Sequence, residues 1–196
     1  MKKNLFTTLL LTSQFAVAGS PAPVSINTQD QFFNALSQHC GKAFLGKVTV
    51  GGSDNDSFSK NELIMHVRHC NKTQIQIPFH VGADASRTWL ITKTGSGLSL
   101  KHDHRHKNGL PDESTMYGGH TNTAGWAQAQ SFPADQYSKE LFIKTGIPQS
   151  IGNTWHMYIY PKKFTYRLTR EGREFNVDFD LTKSITPPPA PWGYKD

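Results

Sequence analysis

Between Leu98 and His106 the chain reads Leu-Ser-Leu-Lys-His-Asp-His-Arg-His, so histidines at every second position follow two leucines in the same phase. Alternate side chains of a β-strand share a face. The spacing therefore predicts Leu98, Leu100, His102, His104 and His106 on one side, with Ser99, Lys101, Asp103 and Arg105 on the other. An apolar stripe that turns into an imidazole stripe is the pattern of a site emerging from a buried strand. Imidazoles ligate metals and exchange protons near neutral pH, and both chemistries are open to such a stripe.

In the metal reading, i and i+2 on a strand lie ~6.6 Å apart, which lets two imidazoles close on one ion. His102 with His104, or His104 with His106, supplies two ligands, and His120 or Asp112 a third. Zinc, copper or nickel suits such donors, although no HExxH-type motif completes the set. In the acid–base reading, His102 and His104 move protons, Asp103 or Asp112 orients an imidazole, and Arg105 or Arg87 holds an anion. That would be a hydrolase or isomerase of a small exported substrate. In the binding reading, Arg87, Trp89, His106, Asp112, Tyr117 and His120 recognise a small molecule inside an aromatic-lined pocket. Finally, the histidines could serve only as a hydrogen-bonded polar plug. Ligand binding ranks first, with the enzyme as the alternative; no cofactor is fixed by the sequence, a divalent metal such as zinc being the one option it leaves open.

The elements that must position these groups are mostly strands. Ala43 to Val50, Leu63 to Val67, Thr73 to Val81, Arg87 to Lys93 and Ser96 to His106 carry strand signals. So do Ala127 to Phe132, Trp155 to Tyr160, Phe164 to Thr169 and Phe175 to Leu181. Pro78 removes a ladder donor, so its strand should be an edge, bulge or end near there. Asp30 to Gln38 reads as a short helix capped by Asp30, with Phe32, Phe33 and Leu36 inward. Asp135 to Thr145 reads as a second helix, capped by Asp135, with Tyr137, Leu141 and Phe142 inward and Gly146 terminating it. Gly118-Gly119 reads as a tight turn, and His39, His66 and His69 as exposed. Many short strands at even spacing argue for one antiparallel β-barrel of lipocalin-like architecture, with a β-sandwich as the alternative. The glycine-x-tryptophan signature of lipocalins is missing.

The first residues read as a secretory signal. Lys2 and Lys3 precede an apolar run from Leu5 to Val17, and Ala16-Val17-Ala18 supplies a small-residue cleavage pattern. That run is shorter than the ~20 residues a membrane helix needs, so no integral membrane association is expected. The organisation is then a signal peptide over 1–18, a barrel domain over 19–186 and a proline-rich tail over 187–196, lying along the barrel with Trp192 as anchor. The destination would be periplasmic or extracellular. Cleavage lowers the formal charge from +6 to +4, without a basic stripe, so no nucleic-acid partner is expected. In an oxidising compartment Cys40 and Cys70 should pair, a closure that stabilises by roughly 3–4 kcal/mol. The alternative is a metal site of both thiolates with His39 and His69.

The run Lys101-His-Asp-His-Arg-His-Lys-Asn-Gly109, then Asp112, Tyr117-Gly-Gly119 and Gln130-Ser-Phe-Pro-Ala-Asp135, resembles a family of bacterial secreted proteins. That family carries an HDHRH motif followed by D, T.YGG and FPAD. The resemblance extends from about Phe44 through Gly193. The family has no assigned activity, so the resemblance implies export and adds little chemistry.

Overall fold

A computed structural model describes residues 27–195; the expected signal peptide lies outside the described residues. The strands are β1 (Ala43–Val50), β2 (Leu63–His66), β3 (His69–Cys70), β4 (Gln74–Val81), β5 (Asp84–Lys93) and β6 (Leu98–His104). After them come β7 (Tyr117–His120), β8 (Ala129–Pro133), β9 (Thr154–Tyr160), β10 (Lys163–Arg170) and β11 (Arg173–Ile185). The helices are α1 (Thr28–Ser37), α2 (Ser57–Lys60) and α3 (Gln136–Lys144), with a 3-10 turn at Pro148–Ser150. Neighbours run β7-β6-β5-β4-β2-β1-β11-β10-β9-β8, with β3 an added pairing on β4, and every pairing is antiparallel.

The two ends of this sheet nearly meet. Gly119 bridges to Ala134, and the Asp135 N–H donates to the Gly118 carbonyl at 3.0 Å. One sheet nearly closed on itself is a barrel, and the sandwich reading falls. Gly118-Gly119 is therefore not a turn but the middle of β7. A Cβ on Gly118 would stand 1.9 Å from the Leu100 carbonyl oxygen, and one on Gly119 equally close to that of Pro133. Glycine lets β7 lie against β6 on one side and the end of β8 on the other.

The alternation in the strands is realised as expected. Trp155, Met157 and Ile159 of β9, Phe164 and Tyr166 of β10, and Phe175, Val177, Phe179 and Leu181 of β11 all face one core. Pro78 lies in a central strand, opposite the gap where the neighbouring chain breaks between β2 and β3, and a register shift follows between Phe79 and Val81. The proline thus falls where the ladder is already interrupted.

α1 closes one end of the barrel, inserting Phe32, Phe33 and Leu36 into that core. Its cap is Asn27, not Asp30: the Asn27 side chain accepts from the Asp30 N–H at 2.7 Å. Asp30 instead pairs with Lys93, the last residue of β5, at 2.6 Å. Cys40 and Cys70 form the expected disulfide, which ties the segment after α1 to β3. His66 is buried rather than exposed. α3 starts at its Asp135 cap, which accepts from the Ser138 N–H at 3.0 Å. Tyr137 is half-exposed, contrary to expectation. The buried side of α3 is Ser138 with Phe142 one turn later, because the Ser138 hydroxyl bonds the N–H and carbonyl of Gly118, at 2.7 and 2.8 Å. The tail crosses the outer surface of β5 and β6. The Trp192 N–H donates to the Ala85 carbonyl at 3.0 Å, and the Tyr194 hydroxyl to Asp103 at 2.6 Å.

Candidate functional site

The end of the barrel opposite α1 is not plugged. It holds a cavity of about 300 Å³, a volume in the range of small-molecule sites. The register of β5 on β6 builds one wall, setting Arg87 opposite His104 and Trp89 opposite His102. On the other edge of β6, Tyr117 of β7 stands opposite His102. Phe79 from β4, Trp155 from β9, Tyr166 and Leu168 from β10 and Phe175 from β11 continue the lining. Phe58 of α2 and Phe142 of α3 lean in from the loops of the open end.

The floor is made of stacked rings. Trp89 lies on Tyr166 with centroids 4.5 Å apart and planes 11° from parallel. His102 lies on Tyr117 at 4.5 Å and 14°. The two stacks are tied by a hydrogen bond between His102 Nε2 and the Tyr166 hydroxyl at 2.9 Å. His102 Nδ1 is 3.2 Å from the Tyr117 carbonyl. A carbonyl only accepts, so Nδ1 carries the proton, and Nε2 of the neutral ring accepts from Tyr166.

Burial sets the protonation states. It pushes His102 down to about 3, with His104 and Lys101 adding their charges to the effect. Burial and then the Arg87 charge lower His104 to about 4. Burial raises Tyr117 to about 12 and Tyr166 well above the usual phenol value. At neutral pH the cavity therefore presents neutral imidazoles and protonated phenols. The Tyr117 hydroxyl reaches His104 Nε2 at 3.2 Å. Arg87 is held at the rim by Asp84 at 2.6 Å, and its guanidinium lies over the Phe58 ring at 5.4 Å. Arg173, also lining, is exposed at the start of β11. Among the described residues no carboxylate lines this cavity.

The expected site residues divide. His102, His104, Arg87, Trp89 and Tyr117 come together on the cavity. His106 does not. β6 ends at His104, and the chain turns back on itself with the His106 N–H donating to the Leu110 carbonyl at 2.9 Å. His106 is exposed, 3.8 Å from Asp112, and neither lines the cavity. His120 sits at the α1 end of β7, bonded to Thr94 at 2.6 Å and to the Thr121 carbonyl at 2.7 Å. The histidines 102, 104 and 106 thus do not converge, and no group of three His, Cys, Asp or Glu among the described residues could hold a metal.

Asp103 and Arg105 lie on the outer face, as the alternation requires. Asp103 is buried there by the tail, accepting from Arg105 Nε at 2.8 Å and from Tyr194. It orients no imidazole, and Arg105 faces no substrate space.

Six lining residues carry no signal in the sequence: Phe58, Ser114, Ile147, Ser150, Asn153 and Arg173. They come from four turns or their edges, where side-chain periodicity carries no information. Asn153 is 7% exposed, and its Oδ1 is buried without a hydrogen-bond partner. Leaving such an atom unpaired costs about 1–3 kcal/mol. The Ser150 hydroxyl beside it accepts from Arg170 Nη1 at 3.0 Å.

Fold and site together define a single antiparallel barrel, closed by a helix at one end and open at the other into an aromatic cavity with a cationic rim. No family model, curated protein or solved structure matches the chain. No helix among the described residues is long and apolar enough to cross a membrane.

Proposed function

We propose that the protein is an exported carrier or receptor of a small molecule with an apolar, ring-containing body and an acidic head. The observation that carries this reading is the lining of the cavity: aromatic floor and walls, two arginines at the rim and no carboxylate. The body of the ligand rests on the Trp89–Tyr166 and His102–Tyr117 stacks, and the anion meets Arg87. Asp84 holds one side of the guanidinium, which preorganises the rest of its fork for a second acceptor.

The catalytic alternative is weaker on geometric grounds. Both His102 nitrogens are engaged within the protein. His104, with a pKa near 4, is a poor proton acceptor at neutral pH, and Asp103 stands behind the sheet. The disulfide is compatible with export.

The test is titration of the mature protein with anilinonaphthalene sulfonate, followed by displacement with naphthalene carboxylate or the uncharged naphthalene methanol. The expected result is saturable one-to-one binding, with the carboxylate displacing the probe roughly tenfold better than the alcohol. Arg87→Gln should erase that preference. Absence of saturable binding, or equal displacement by acid and alcohol, would sink the reading.

A further inference from the structure

Arg87 and His104 are cross-strand neighbours of the closer kind. The Arg105 N–H donates to the Ser86 carbonyl at 2.9 Å, so Ser86 and Arg105 form a hydrogen-bonded pair of the ladder. The next pair along, Arg87 with His104, is then the unbonded kind, with Cα atoms about 4.5 Å apart and side chains in closest approach. Both side chains line the cavity. On its other flank the His104 ring lies against Tyr117, with centroids 5.4 Å apart and Nε2 3.2 Å from the phenol oxygen. A phenol hydroxyl gives or takes a hydrogen bond, so this contact serves the ring whether it is neutral or charged. His102, the other imidazole of the cavity, is buried with both nitrogens engaged, whereas His104 is only half-buried.

The charges around His104 decide what an anion does to it. Arg87 from β5 opposes a proton on the ring. Asp84 on β5, Asp112 in the loop after β6 and Asp103 behind the sheet favour one. Tyr117 from β7 and His102 on the same strand are uncharged at neutral pH. Burial and Arg87 prevail, and the ring is neutral. A carboxylate seated on Arg87 stands beside this ring as well, because the two side chains are neighbours. It offsets the guanidinium charge and sets an anion next to the imidazole, and a close opposite charge favours the charged form of histidine. We infer that His104 is the second contact of the acid head, and that the cavity takes up a proton on His104 together with the acid. The carboxylate is then held between guanidinium and imidazolium. It arrives ionised, the proton comes from solvent, and no bond of the ligand breaks. Because the loaded protein holds more protons than the free one, acid tightens binding. This rests on the acid-binding reading above and adds the residue that sets its pH dependence.

The experiment is calorimetric titration of the mature protein with naphthalene carboxylate between about pH 7.5 and 5.5, where a carboxylic acid of ordinary pKa stays ionised. Affinity should rise roughly fourfold toward the acid end of that range. At about pH 6, roughly half a proton should be taken up per ligand, read from the dependence of the enthalpy on the buffer. Naphthalene methanol, which brings no charge, should show neither effect. His104→Gln should remove both from the carboxylate. Should His104→Gln fail to fold, as circular dichroism would show, NMR of the parent protein should find the His104 imidazole titrating at higher pH with the acid bound than without it. An affinity level across the range, proton uptake that persists in His104→Gln, or a His104 titration unmoved by the acid overturns the role of His104 and leaves the acid site standing. Failure of naphthalene carboxylate to bind at any of these pH values overturns the acid site and this assignment with it.

Discussion

The two ends of the barrel are built from the same kind of residue and put it to different use. At the closed end the apolar side chains of α1 are fully packed: Phe32 and Leu36 have no exposed surface. At the open end Phe58 is only half-buried, and the rings of Trp89, Tyr117 and Tyr166 border empty space. A barrel needs one well-filled end to fold. It can then leave the other underfilled, and the deficit in packing is available to a ligand. The disulfide strengthens this division, since Cys40 and Cys70 anchor the segment that leads out of α1.

The largest test of that division is a matched pair of truncations. Phe32→Ala removes a ring from a filled core and should cost about 3–5 kcal/mol, enough to unfold much of the population of a domain of ordinary stability. Phe58→Ala removes a ring that solvent already reaches and should cost about 1 kcal/mol, while weakening the naphthalene probes. Both are read by urea denaturation. Similar costs at the two ends would show that the open end is packed as tightly as the closed one.

Much of this division is legible in the sequence, and for a physical reason. Strand alternation is a local property of the backbone, so the inward faces of β6, β9, β10 and β11 followed from spacing alone. So did the separation of His102 and His104 from Asp103 and Arg105. β7 was missed because Gly118 and Gly119 carry turn-like local preferences, and only the close approach of Leu100 and Pro133 explains their presence in a strand. His106 was misplaced because the strand was extended two residues too far. The chain-reversing bond from His106 to Leu110 is tertiary information. Asn153, Ser150 and Arg173 were out of reach altogether, being turn residues that meet only because barrel closure gathers the turns of one end.

An intermediate effect should appear on acidification. In the unfolded chain His102 and His104 titrate near 6.5, but in the fold they titrate near 3 and 4. Between those limits the unfolded state binds more protons, so acid favours it. The stability these neutral imidazoles contribute is fully present above pH 6.5 and is lost progressively as pH falls toward 3. His39, His80 and His156 are lowered too, chiefly by burial, and act in the same sense. Asp84 and Asp135 carry carboxyls lowered below 3.8, so their contribution is lost only further into acid. The melting temperature should therefore begin to fall between pH 6.5 and 5, ahead of the carboxylates. His102→Phe should lower it at pH 7, by stranding the Tyr117 carbonyl and the Tyr166 hydroxyl, yet flatten its slope with pH. An unchanged slope in that variant would mean that His102 is not held neutral by the floor of the cavity.

The smallest expected effect separates the two arginines of the rim from each other. Arg173 has no ion-pair partner among the described residues and stands exposed at the turn into β11, so Arg173→Ala should leave the melting temperature within error of the parent. Its charge acts on an anion through solvent, where salt screens it over about 8–10 Å. Loss of the charge should slow association of naphthalene carboxylate by about two- to threefold at low ionic strength and hardly at all in 0.5 M salt. Arg87, half-buried and fixed by Asp84, should behave otherwise, with its loss appearing in the dissociation rate and persisting in salt. Stopped-flow measurements at two salt concentrations distinguish the two arginines. If Arg173→Ala changed dissociation as strongly as Arg87→Gln, the acid head would be shared with the β11 side of the rim, and the polar contacts of the cavity would have to be redrawn from there.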